Sequence, residues 1–150
     1  MTVLIYGHDD QVMQWLAMQE PEGAIPIGQS WALGMVDKYG CLGGAITIVQ
    51  TSPAGVMLGI ESHGLLTRQV LRDLFAFVFE HLGASRCEIV TKRTNTVMKK
   101  HAPTTLGFRF EGVRRDYYGQ GDDGLAFVMQ PQTCKWIDHG KSVRIGTRAA

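Results

Sequence analysis

No apolar run in this chain is long enough to cross a bilayer as a helix. Cysteine is sparse. Cys41, Cys87 and Cys134 stand far apart, with no CxxC pair and no Cys/His spacing of a metal site. That excludes a disulfide framework and a zinc module as organising devices, and a reducing, cytoplasmic setting is the expectation. The opening residues, MTVLIYGHDD, lack the basic and apolar regions of a secretory signal. Neither sign of charge dominates: 15 basic side chains face 14 acidic ones, for a net charge of +1. This argues against a nucleic-acid partner, although Arg114 and Arg115 beside Tyr117 and Tyr118 form a local basic-aromatic patch. The acid pairs Asp9/Asp10 and Asp122/Asp123 lack the spacing of a cation loop. There is no internal repeat and no low-complexity segment.

What is present is ordinary globular composition. Of 150 residues, 45% are apolar and 19% charged, enough for one domain with a proper core. That domain is expected over residues 1–138, with residues 139–150 a flexible tail of little periodicity.

Along the chain, residues 2–6 read as a strand, and Asp9 or Asp10 can cap a helix that stops before Pro21. Residues 20–28 are turn punctuation. Residues 31–36 and 41–50 read as a hairpin across Asp37-Lys38-Tyr39-Gly40, with Gly43 and Gly44 suited to a bulge or close contact. Residues 55–61 follow as a third strand.

The centre of the chain is residues 55–90: strand, glycine-containing loop, long helix, strand. Thr67 is a suitable N-cap and Gly83 a suitable C-terminal glycine. Between them Val70, Leu71, Leu74, Phe75, Val78, Phe79 and Leu82 recur at helical spacing, and Phe77 widens the stripe toward a second neighbour. A helix N-terminus presents unpaired N–H groups and partial positive charge, so it can hold an anion. Arg68 occupies the first turn, where acids are favoured; it either helps bind a phosphate or points into water. Asn95 can cap a short helix that Pro103 should end. Residues 108–117 and 125–130 read as the last strands, and residues 132–138 can pack Trp136 back on the domain.

The run FVFEHLG before a strand, Asn95 opening a short helix, and LGFRFEGVRRDYY after it carry a resemblance. Residues 55–129 resemble the second half of the Gcn5-related N-acetyltransferases (GNAT), closest to their ribosomal-protein N-acetyltransferase-like branch and to small GNAT-like proteins of bacteriophages. The resemblance implies an α+β fold: a mixed, mostly antiparallel, twisted sheet with helices on both faces. It implies acetyl-CoA as co-substrate, lying in a splay between the strand ending at Glu61 and the strand at residues 87–90. The pantetheine arm would pair with the first strand at Ile60, and the pyrophosphate would sit on Gly64, Leu65, Thr67 and Arg68. Asn95 would hold the arm or only cap its helix. Glu61 takes the place of a general base, or is a solvated strand-end carboxylate. Where many members carry an acid tyrosine this chain has Pro103, so Tyr117 and Tyr118 are the nearest substitutes, unless they only pack on a hairpin.

The resemblance thus implies an N-acetyltransferase that moves an acetyl group to a primary amine by direct attack, on an acceptor of unspecified class. Edge strands in this fold also admit a homodimer. The family's pyrophosphate pattern, Q/R-x-x-G-x-G/A, has Ser62, Leu65 and Thr67 at its defining positions here. Backbone N–H groups reach phosphate best where no side chain intervenes. The alternative is therefore a GNAT-like fold with a degenerate loop that serves as a non-catalytic binding or structural protein. Calorimetry on Leu65→Gly separates the two. Tighter acetyl-CoA binding is expected of a weakened cofactor loop, and unchanged affinity of the non-catalytic protein.

Overall fold

Alternating apolar residues in the strands and two helical stripes are buried against one another in the computed structural model, which describes residues 2–19, 29–62 and 66–139. The punctuation at 20–28, the loop residues His63, Gly64 and Leu65, and the tail from 140 lie outside the described residues. Chain order is β1 (Val3–Ile5), α1 (Asp9–Gln19), β2 (Ser30–Val36), β3 (Leu42–Ser52), β4 (Gly55–Ser62), α2 (Arg68–Ala76), β5 (Arg86–Lys92), α3 (Thr96–His101), β6 (Arg109–Arg114) and β7 (Gly124–Met129).

The strands form one seven-stranded sheet in the order β1-β2-β3-β4-β5-β7-β6. Only β4 and β5 run parallel. Every other neighbouring pair is antiparallel. Gly43 is the extra residue of a bulge, since Met35 pairs Gly44 and Val36 pairs Leu42. One face of the sheet, with Ile46, Ile48, Val56, Leu58, Cys87, Ile89, Phe127 and Met129, packs on the stripe of α2. The opposite face is covered at β2 and β3 by α1, where Val12 meets Ala32 and Ala45. The fold is therefore the expected α+β arrangement, a mostly antiparallel sheet with helices on both faces.

Asp9 does something other than cap α1. The β1–β2 ladder ends at Ile5↔Gly34, and the Asp9 carboxylate accepts the N–H of Ala32 beyond it at 2.9 Å. Thr67 caps α2 as expected, its hydroxyl accepting the Val70 N–H at 3.2 Å. Val70, Leu71, Leu74 and Phe75 are buried, and the Phe77 ring meets that of Tyr6, just past β1, at a tilt of 43° with centroids 5.3 Å apart.

Both later helices finish in a wider, π-helical turn. After α2 it spans Phe77–His81, and after α3 it spans Ala102–Leu106. Each closes on a left-handed glycine, Gly83 at φ +72° and Gly107 at φ +89°. The N–H one residue on then reaches back, Ala84 to Val78 at 3.1 Å and Phe108 to Ala102 at 2.8 Å. Pro103 accordingly sits inside a continuing helix instead of ending it. Beside it the Thr104 hydroxyl donates to the Lys100 carbonyl at 2.6 Å. The Thr104 and Leu106 carbonyls are taken up by Lys135 Nζ at 3.3 Å and Trp136 Nε1 at 2.8 Å, so Trp136 does fold back on the domain.

The strand expected over 108–117 stops at Arg114, and Tyr117 and Tyr118 lie in the turn that follows. Asp116 adopts φ +54° there, which ends the extended backbone.

Phe75 is fully buried, with ring centroids 6.0 Å from Phe79 and 5.9 Å from Phe108. Phe75→Ala is expected to cost about 3–5 kcal/mol, seen as a lower urea midpoint at unchanged m-value.

Candidate functional site

The parallel ladder between β4 and β5 runs from Gly55↔Arg86 to Leu58↔Ile89 and then stops. Beyond that rung each strand continues with a different partner. Gly59, Ile60, Glu61 and Ser62 stay paired to β3. Val90, Thr91 and Lys92 stay paired to β7. The two arms fork, and the backbone groups on their facing edges have no strand partner across the gap. Such edges can pair with an extended ligand, much as a sheet edge accepts an added strand.

The direction of Val90 follows from the ladder on its other side. Arg93 N–H donates to the Asp123 carbonyl at 3.1 Å. Antiparallel ladders alternate bonded and non-bonded pairs, so Val90, opposite Ala126, turns its own carbonyl away from β7 and toward β4. That carbonyl stands at the first open rung of the fork. The Tyr118 hydroxyl donates to it at 3.0 Å.

Tyr117 spans the root of the fork, with its hydroxyl 3.6 Å from the Met57 sulfur of β4. A side chain at Gly124 would collide with Val90 at 2.8 Å and meet Tyr117 at 3.1 Å, so the glycine lets Tyr117 lie flat over β5. The two tyrosine rings meet edge to face at 5.0 Å. Strand alternation places Met57, Gly59 and Glu61 on one face, so Glu61 and Tyr117 share that face of the sheet.

The hairpin carrying both tyrosines is tied to β5. Lys92 pairs with Asp122 and Arg93 with Asp123, each at 3.6 Å. Asp123 accepts the Asp116 N–H at 3.0 Å, and Asp116 accepts the Gly121 N–H at 2.8 Å. Lys92 Nζ also lies 5.5 Å from the centre of the Tyr118 ring.

Of the other expected residues, the structure describes Ile60, Thr67, Arg68 and Asn95. The Ile60 side chain packs against the core, leaving its backbone to the gap. Thr67 and Arg68 form the start of α2, whose first turn holds no acid. Arg68 is exposed and makes no ion pair with a described residue. Asn95, past the end of β5, spends its carboxamide oxygen on the Met98 N–H at 3.1 Å and keeps its NH2 group on an exposed side chain. Gly64 and Leu65 lie outside the described residues.

Met57, Val90, Lys92 and Gly124 were not legible as site residues, because their role comes from register and not from residue type. Glu88 gave a signal that could have been followed: a carboxylate in an otherwise apolar strand calls for cations. It is buried and held by Arg114, while Arg86 grips Glu111 in a two-pronged pair. The Arg86 hydrogen bond holds the Glu111 carboxyl below its usual range. The stabilisation from that pair is present above the ordinary glutamate pKa and is lost as pH falls through the lowered one; at this exposure it is small. Burial pushes the Cys87 and Cys134 thiols up, so neither is a ready nucleophile. Among the described residues no group of three His, Cys, Asp or Glu could hold a metal.

No protein-family model and no curated protein matches the sequence. Solved structures do match the fold. A point mutant of the spermidine N-acetyltransferase SpeG from Vibrio cholerae superposes with a TM-score of 0.71 at 12% identity, covering 93% of this chain and 98% of that one. A Bacillus subtilis acetyltransferase in complex with CoA gives 0.66 at 17% identity, over 86% of this chain and 97% of that one. A GCN5-related N-acetyltransferase from Brucella melitensis gives 0.60 at 22% identity, over 83% of this chain and 59% of that one. These superpositions over most of its length give this chain the fold of the Gcn5-related N-acetyltransferases.

Proposed function

We propose that the protein is an N-acetyltransferase that moves an acetyl group from acetyl-CoA to a primary amine. The observation that carries this reading is the fork itself. Two facing strand edges stand open beyond Leu58↔Ile89, and the capped start of α2, with Arg68 exposed and no acid in its first turn, follows the β4 arm. A pantetheine arm bears amides that can pair with the β4 edge at Ile60, whose backbone faces the gap while that of Gly59 is bonded to β3. Arg68 and the first N–H groups of α2 complement its pyrophosphate. The Asn95 NH2 group is available to the arm from the other side of the gap. That a structural neighbour binds CoA supports the choice of co-substrate.

In the reaction the amine nitrogen attacks the thioester carbonyl carbon, and a C–N bond forms as the carbonyl becomes an oxyanion. The intermediate collapses with loss of the C–S bond. The amine's proton passes to Glu61, directly or through water, and the leaving thiolate gains a proton. Of the two tyrosines, Tyr117 is better placed to give one, because its hydroxyl rests on a thioether, a weak acceptor. The Tyr118 proton is committed to the Val90 carbonyl. No covalent enzyme intermediate is needed.

The finer assignment to the ribosomal-protein branch, and a bacteriophage source, rest on the run from residues 67 to 119. No helix among the described residues is long and apolar enough to cross a membrane. We place the protein in the cytoplasm on its cysteine usage. A homodimer through the outer edge of β6, where Phe110 and Val113 are half exposed, belongs to the same proposal; the Vibrio cholerae spermidine N-acetyltransferase is itself found as a dodecamer.

Steady-state kinetics with acetyl-CoA and a panel of amines tests the reading. Glu61→Gln should lower kcat by about 100-fold or more, the usual worth of a positioned base, with acetyl-CoA affinity unchanged. Arg68→Ala should weaken acetyl-CoA binding about tenfold in calorimetry, the loss of one charge-assisted contact. No saturable acetyl-CoA binding by the unaltered protein would favour the non-catalytic protein with a degenerate loop.

A further inference from the structure

A second concavity lies on the outer side of the long helix, away from the fork. It is an open dish of about 460 Å³ lined by Tyr6, Asp73, Ala76, Phe77, Glu80 and His81. Phe77 stands ten residues past the Thr67 cap, so the dish is roughly 15 Å along the helix from the start of α2.

Its walls are aromatic. Tyr6 meets Phe77 with ring centroids 5.3 Å apart, and Phe77 stacks on His81 at 5.0 Å. The π-helical turn after α2 carries Phe77, Glu80 and His81 together. The floor is negative. Asp73 accepts one hydrogen bond, from Gln69 Nε2 at 3.0 Å, which leaves its second oxygen for another donor. Glu80 is exposed. Neither carboxylate forms an ion pair with a described lysine or arginine. The helix also ends here, and its last carbonyls add partial negative charge. The electrostatic effect already registers within the dish: the Tyr6 phenol is pushed up by burial and by the charge of Asp73.

We infer that this dish is a binding site for a small organic cation of the alkylammonium type, separate from the acetyl-transfer fork. Three features converge on that chemistry. Ring faces attract a cation through their quadrupoles. Two carboxylates lack a counter-ion among the described residues. The helix C-terminus favours positive charge. An anion would be repelled by all three, and a neutral apolar ligand would leave the carboxylates unserved. The inference does not depend on the acetyl-transfer reading, and the dish shares no residue with the fork.

The test is an NMR titration of the full chain with choline, run beside its neutral carbon isostere 3,3-dimethylbutan-1-ol. Choline should shift the amides of Tyr6, Asp73, Phe77 and His81 saturably, with a Kd in the millimolar range. The isostere should bind about tenfold more weakly or not at all, because it keeps the shape and loses the charge. Glu80→Gln, a substitution on an exposed side chain, should weaken choline several-fold at an unchanged melting temperature. Equal shifts with the two ligands, shifts centred on Glu61 and Val90 in place of the dish, or no saturable shift with choline would each overturn the inference.

Discussion

The arrangement depends on one pairing that stops early. The parallel contact of β4 with β5 ends at Leu58↔Ile89, and from there each strand is held by its outer neighbour alone. A sheet twists, so two strands bound to different partners diverge once their own bonds cease. The fork is therefore maintained by β3 pulling one arm and β7 the other. Its root is fixed by the core beneath, where Leu58 and Ile89 share one buried cluster with Leu74 and Phe75 of α2. The same helix that fills the core thus starts near the gap and gives it a polar end.

The second constraint is the β6–β7 hairpin. Its turn carries Tyr117 and Tyr118 across β5, and two ion pairs, from Lys92 at the end of β5 and from Arg93 just past it, hold it there. Exposed ion pairs contribute little to global stability. Here they serve geometry, because they are joined through Asp123 and Asp116 to the backbone of the turn. Asp116 accepts a left-handed backbone conformation that few residues other than glycine, asparagine and aspartate tolerate. The result is a hydroxyl at the first open rung of the fork, satisfying a carbonyl that has no strand partner on that side.

Much of this was legible in the sequence wherever a local rule governs. Thr67 and Gly83 bound the long helix because a capping hydroxyl and a left-handed closing residue are local requirements. The stripe from Val70 to Phe79 reads directly as a buried face. The turn at Asp37 to Gly40 and the glycine bulge of β3 follow in the same way. What was not legible depends on tertiary register or on a competing local bond. A period of 3.6 does not distinguish an α-turn from the wider turns ending both helices. Pro103 was tolerated because it falls in the first turn of the π-helical segment, where a missing N–H costs least. Residues 108–117 alternate like a strand, yet Asp116 turns the chain. Asp9 left its capping role because Ala32 offered an N–H beyond the end of β1. The resemblance supplied the idea of a fork, and the structure supplied the rung at which it opens.

The central claim is that the facing edges of β4 and β5 receive an extended ligand. Hydrogen exchange of the full chain with and without acetyl-CoA tests it most directly, because an amide that gains a hydrogen-bond partner slows. Slower exchange confined to the gap-facing amides of Ile60, Ser62 and Lys92 and the first turn of α2, with the rest of the sheet unchanged, is the predicted result. Protection elsewhere, or none at a concentration that saturates binding, would contradict the account.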